Sequence, residues 1–250
     1  MDTINKIKKL GLWIFLITFI SVNVCLILSQ SFEFREHDVP SPGNYYGDLK
    51  IYNIGDAIAD KSSEWIIPYL DGTSSISRVV RVFPNNILFK LSMFVTGILL
   101  IRYWLLNKKL IEDLKIKETA TNKMIFFGIC SAIFLIIHSI FLGIKFDIAI
   151  YKLFRRIILL LFILMEITAQ FYLIKIFYKN KDLIEKFINI KILNIKKMLV
   201  YLLIIVAALI LPFLPFANLK ILKHALEWNY FLGVVTFYLL TFFLWKKKLN

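Results

Sequence analysis

Apolar residues along this chain fall in six long blocks rather than in alternation or narrow stripes. The blocks cover 10–29, 85–106, 124–143, 157–178, 198–216 and 228–245. Crossing the hydrocarbon of a bilayer takes about 20 apolar residues in helical form. Six such helices would use about 120 residues, roughly half of the 250 present. The pattern predicts an all-α fold, a polytopic six-helix transmembrane bundle forming one membrane domain over 1–250.

Individual blocks carry further signals. The first follows Lys6, Lys8 and Lys9, as a signal peptide would, but it runs about 20 residues and ends in Leu-Ser-Gln-Ser. It reads as an uncleaved spanning helix. The second has an uninterrupted apolar centre only over 91–101, flanked by Lys90 and Arg102. Both stems are long enough to snorkel to opposite interfaces, with Tyr103 and Trp104 as interfacial belt residues. The fifth ends near Pro212 and Pro215, and the sixth runs from Trp228 to Trp245 before Lys246, Lys247 and Lys248. No internal repeat is visible, so an inverted-repeat transporter is not indicated.

Between the first two blocks lies a polar loop of 55 residues, 30–84, holding Pro40, Pro42, Gly43, Gly47, Gly55 and Gly72 as turn formers. The same stretch holds Tyr45, Tyr46, Tyr52, Trp65 and Tyr69. That aromatic content predicts a small folded cap, and loops of this length are commonly functional.

Composition changes the picture only by closing alternatives. The chain is 59% hydrophobic and 19% charged, against about 45–50% and about 25% for a soluble domain. A soluble globular enzyme is excluded, and so is a disordered chain. The net charge of +14 would suggest nucleic acid in a soluble protein. Here the basic residues cluster at the ends of the apolar blocks, and no nucleic-acid-binding motif accompanies them, so nucleic acid is not a predicted partner. Counted by side, 1–9, 107–123, 179–197 and 246–250 carry 17 Lys+Arg in 50 residues, and 30–84, 144–156 and 217–227 carry 11 in 79. The denser side is expected to be cytoplasmic, with both termini, and the 30–84 loop on the opposite side. Lys152, Arg155 and Arg156 fall on the outer side. They read either as a site for lipid headgroups or as a tolerated exception to the charge rule.

Candidate chemistry is sparse. Glu166 lies in the middle of the fourth block, with Gln170 one helical turn later on the same face. A carboxyl at that depth needs a partner inside the bundle. The pair either bonds helices together, with Glu166 protonated, or lines a polar cavity. His138 stands in the outer third of the third block beside Ser139, and the two point too far apart to act as a dyad. His37, His138 and His224 all fall on the expected outer side, yet no HxxxH or HExxH spacing joins them. Asp56, Asp60 and Asp71 lack the alternating spacing of a calcium loop. Cys25 and Cys130 sit inside apolar blocks and imply no disulfide framework. No metal site and no cofactor fingerprint is predicted.

Residues 65–106 and the last block carry a resemblance. In WIIPYLDGTSSISRVVRVFPNNILFKLSMFVTGILLIRYWLL, the residues Pro68, Tyr69, Asp71, Gly72, Ser75, Ile76, Ser77, Pro84, Arg102 and Tyr103 stand in the layout of the DRAM/FRAG/Sfk family, the Cwh-type N-terminal hydrophobic domain. The family motif places Asp after the Ser pair, whereas Asp71 precedes it here. Glu227 before Trp228 is similar to the start of that family's last helix. The resemblance implies six spans, a lipid-linked role with membrane lipids and a membrane protein as partners, and no defined catalytic motif. Asp71, Ser75, Ser77 and Glu227 of these stretches, with the outer-side His224, form a candidate outer-face site, beside the intramembrane candidates Glu166, Gln170 and His138. Three functions are then in competition. One is a non-enzymatic lipid-handling or scaffold protein. The second is an intramembrane lipid hydrolase, which needs His138, His224, Glu166 and outer acids to converge. The third is a small transporter or channel, which needs Glu166, Gln170 and Asn23 along a wet path.

Overall fold

The computed structural model describes residues 2–31, 67–80, 83–142, 149–210 and 220–246. Its elements are α1 (Asp2–Ser31), α2 (Pro68–Asp71), α3 (Ile76–Val79), α4 (Asn85–Asp113), α5 (Thr119–Phe141), α6 (Ala149–Lys179), α7 (Lys181–Ile184), α8 (Ile190–Ile210) and α9 (Lys220–Leu244). Six of them are long and apolar enough to cross a membrane: α1, α4, α5, α6, α8 and α9. Among the described residues there is no named strand, only an isolated antiparallel bridge between Ile188 and Trp245. The all-α six-helix bundle expected from the apolar blocks is the fold observed. Most of the expected cap, with His37, Asp56, Asp60 and Trp65, lies outside the described residues, as do Gly143 and 211–216 of the expected third and fifth segments and the Lys152 side chain.

These helices form where they do because nothing interrupts them. None of the described long helices contains a proline: Pro68 opens α2 and Pro84 precedes α4. Most helices also run past their apolar blocks. α4 has 29 residues and α6 has 31, about 45 Å at about 1.5 Å per residue. That matches the hydrocarbon together with its interfacial layers rather than the hydrocarbon alone. In the interface a lysine-bearing turn keeps its backbone bonds while the side chain reaches water. One consequence corrects the reading of Tyr103 and Trp104. They are not belt residues. α4 continues for nine residues beyond Trp104, and both side chains are buried in the core.

Each spanning helix packs chiefly on two others, and these contacts close a ring in the order α1, α4, α5, α6, α8, α9 and back to α1. Small residues let the helices approach. A Cβ on Gly128 of α5 would stand 2.5 Å from the Trp104 ring of α4, and one on Gly11 of α1 would stand 2.8 Å from the Tyr238 carbonyl of α9.

Each end of the ring is tied by different residues. At the lysine-rich end, Lys179 pairs with Glu118 at 2.9 Å. There Asn189 N–H donates to the Leu244 carbonyl at 2.7 Å and Lys246 N–H to the Phe187 carbonyl at 2.9 Å. At the opposite end, Asn85 is fully buried. Its side-chain amide donates to the Cys25 carbonyl of α1 at 2.9 Å and to the Val79 carbonyl of α3 at 3.0 Å.

Candidate functional site

Two groups of polar side chains are assembled by this packing, one in the middle of the bundle and one at the end that carries α2 and α3.

The central group surrounds Glu166 of α6, which is 0% exposed. Ser131 Oγ of α5 donates to Glu166 Oε2 at 2.6 Å. Gln170 Nε2, one turn along α6, donates to Oε1 at 3.0 Å. The Tyr238 hydroxyl of α9 donates to the same Oε1. Three donors from three helices therefore converge on one carboxyl group. This is how a polar group at bilayer depth is accommodated, since no water is there to replace a missing partner. Gln170 joins Glu166 as its spacing predicts. His138 does not. It is buried on α5 seven residues beyond Ser131, roughly 10 Å along the helix.

A second polar layer lies toward the lysine-rich end. The Tyr103 ring packs edge-on against Tyr238 with centroids 5.0 Å apart. The Tyr103 hydroxyl and Thr241 Oγ1 of α9 share a hydrogen bond at 3.1 Å. Lys196 Nζ of α8 donates to Thr241 Oγ1 at 2.6 Å and stands 3.7 Å from the centre of the Phe237 ring. Lys196, counted by sequence with the loop 179–197, is in fact inside α8 and fully buried. Its stem is folded into the bundle because Thr241 and the face of Phe237 give its amino group a place to go. Neither Lys196 nor Tyr238 was visible as a candidate from the sequence. A lysine at the head of an apolar run and a tyrosine inside one look like a flanking charge and a core aromatic.

The other group is formed where the chain between α2 and α3 lies against the start of α9. Trp228 Nε1 donates to the Ser74 carbonyl at 2.8 Å. His224 Nδ1 meets the Gly72 carbonyl at 3.0 Å. Asn229 donates to the Tyr69 carbonyl at 2.7 Å. Ser77 N–H donates to Glu227 Oε1 at 3.4 Å, and Ser75 Oγ and Ser77 Oγ share a bond at 3.1 Å. Gly72 is required twice over: its φ is +61°, and a Cβ there would meet the Ile221 carbonyl at 2.1 Å. Tyr69 reaches across to Asn23 of α1 at 3.1 Å, and burial pushes its hydroxyl above the ordinary value while that bond pulls it back. Asp71 is turned onto its own segment, accepting from the N–H of Ile67 and of Thr73 at 2.9 Å each and from the Thr73 hydroxyl at 2.8 Å. Ser75, Ser77, His224 and Glu227 are thus brought together, whereas Asp71 caps its own turn. Tyr69, Trp228 and Asn229 belong to the same contact, and only tertiary packing reveals Asn229.

Of the basic cluster, Arg155 and Arg156 lie near the α6 end remote from Lys179, with Arg156 exposed. The Arg155 guanidinium faces the Tyr151 ring at 5.8 Å, and the Tyr151 hydroxyl donates to the Phe141 carbonyl of α5 at 2.8 Å.

The two polar groups are well separated. His224 and Tyr238 are fourteen residues apart on α9, roughly 21 Å at the helical rise. Among the described residues no three His, Cys, Asp or Glu side chains come together as a metal-binding set. Six apolar helices with their polar groups bonded inward define an integral, multi-pass membrane protein. Compared with family models, curated proteins and solved structures, the chain matches none.

Proposed function

We propose that this membrane protein is a non-enzymatic lipid-handling or scaffold protein of the DRAM/FRAG/Sfk type, with membrane lipids as its partners. One observation carries the reading: Glu166, the most conspicuous intramembrane acid, has both oxygens engaged by Ser131, Gln170 and Tyr238 and no exposed surface. A carboxyl held this way bonds helices and is withheld from substrate. The lipid-hydrolase alternative needs Glu166 and His224 at one centre, and Tyr238, which touches Glu166, is roughly 21 Å from His224 along α9. The transport alternative needs a wet path at Glu166, and the enclosed carboxyl argues against one. The order of the family-like segment adds support, because residues 69–77 are bonded directly to the start of α9. In this reading both termini are cytoplasmic, on the strength of 17 Lys+Arg in 50 residues on that side against 11 in 79 on the other.

The test compares membrane lipids in cells lacking the gene with cells re-expressing the wild type or Glu166→Gln. The expected result is an altered lipid composition or leaflet distribution on deletion, restored by both proteins. An unchanged lipid profile overturns the lipid role. Restoration by the wild type alone, at equal protein levels, overturns the structural role of Glu166.

A further inference from the structure

Along the outside of the bundle, where α8 meets the last turn of α6, runs an open groove of about 540 Å³. Its polar end holds Tyr178, Asn194 and Lys197, and Met198, Leu202 and Ile205 continue it along α8. These α8 positions recur at helical spacing, so they line one face. From Asn194 to Ile205 the face runs roughly 16 Å at the helical rise, about half the hydrocarbon thickness of a bilayer. Met198 is 68% exposed, and Leu202 and Ile205 are also exposed, so the face points away from the ring.

Lys197 Nζ stands 3.9 Å from the centre of the Tyr178 ring. Among the described residues no carboxylate pairs with it, whereas nearby Lys179 is taken up by Glu118 at 2.9 Å. Asp182 and Glu185 follow Tyr178 in the chain, and neither is bonded to Lys197. A single cation steadied on an aromatic face, an amide beside it, and an apolar trough one leaflet deep leading away are complementary to one kind of molecule.

We propose that this groove seats an anionic glycerophospholipid of the leaflet at the lysine-rich end. Its phosphate lies against Lys197 and Asn194, and one acyl chain lies along Met198, Leu202 and Ile205. The site deepens the lipid-handling reading and rests on it for its biological purpose, but its occupancy is measurable separately.

The full-length protein is purified in detergent and given an equimolar mixture of phosphatidylglycerol and phosphatidylcholine with identical acyl chains. Retained lipid is read by native mass spectrometry. The wild type is expected to keep phosphatidylglycerol preferentially. Lys197→Gln is expected to cut that preference about fivefold, as for one interfacial lysine worth about 1 kcal/mol. Lys191→Gln, at an exposed position on α8, is expected to leave it intact, and Leu202→Trp is expected to lower retention of both lipids by filling the trough. A wild type without preference overturns the site. So does an equal effect of the two lysine substitutions, which would mean diffuse surface charge, and so does full retention in Leu202→Trp. Lys197-dependent retention with no lipid change in the deletion strain would overturn the function and leave the groove. A lipid change in that strain with Lys197→Gln retaining its preference would overturn the groove alone.

Discussion

The indole nitrogen of Trp228 donates to the carbonyl oxygen of Ser74 at 2.8 Å, joining residues 154 positions apart in the chain. Trp228 is fully buried, and its ring also meets Tyr69 with centroids 4.9 Å apart. Trp228→Phe keeps an aromatic in the pocket and removes the donor. It is expected to cost about 1–3 kcal/mol, since a buried carbonyl loses its partner. Hydrogen exchange should rise across 67–80 while α5 and α6 stay protected. Unchanged exchange at 67–80 would show that this segment is held by something other than α9.

Glu166 should behave as a polar knot between helices. In Glu166→Gln an amide oxygen can still accept from Tyr238 and Gln170. The new NH₂ can donate to Ser131 Oγ, whose own proton then goes to the Gly128 carbonyl 2.9 Å away. Glu166→Ala strands Tyr238 and Gln170 and leaves Ser131 only the Gly128 carbonyl. Two of the bonds, from Ser131 and Tyr238, cross between helices, and such bonds in membranes average about 0.6 kcal/mol each, so the Ala variant should lose about 1 kcal/mol or more and the Gln variant less. Thermal unfolding in detergent measures both. Equal losses in the two variants would contradict the three-donor arrangement.

Gly128 is a packing requirement. The Trp104 ring fills the space a Cβ would take, at 2.5 Å, and Trp104 is itself fully buried against Tyr103. Gly128→Ala is expected to destabilise by about 1–3 kcal/mol, as overpacking does in close-packed cores. The double variant Gly128→Ala with Trp104→Leu should recover part of that loss, because the clash is with the indole. A double variant whose losses simply add would place the strain elsewhere.

Lys196 buries its amino group with one oxygen and one ring face for company. Such an arrangement is costly at membrane depth. Lys196→Met, of similar length and shape, is expected to leave the unfolding temperature unchanged or raise it. A large fall in stability would mean that the amino group contributes more binding than the thioether can replace. Stable protein that no longer restores the lipid profile of the deletion strain would instead mark Lys196 as functional.

Much of this molecule was legible one residue at a time. Twenty-residue apolar runs admit few structures, because unpaired backbone groups are intolerable in hydrocarbon, so helix number and approximate position follow from the sequence. The need of Glu166 for a partner follows in the same way, and so does Gln170 as one of them, since both obey helical spacing. What the sequence left open was every relation between helices. Apolar faces are nearly interchangeable against lipid, so hydropathy does not say that α1 sits between α4 and α9 or that Ser131 and Tyr238 are the helix-to-helix donors to Glu166. Tyr103, Trp104 and Lys196 looked like interface residues because they border apolar runs, and packing drew all three into the core. Local periodicity determined the helices of this protein. Only tertiary structure decided which polar groups meet, because a hydrogen bond between helices depends on their rotation and register, which no single segment encodes.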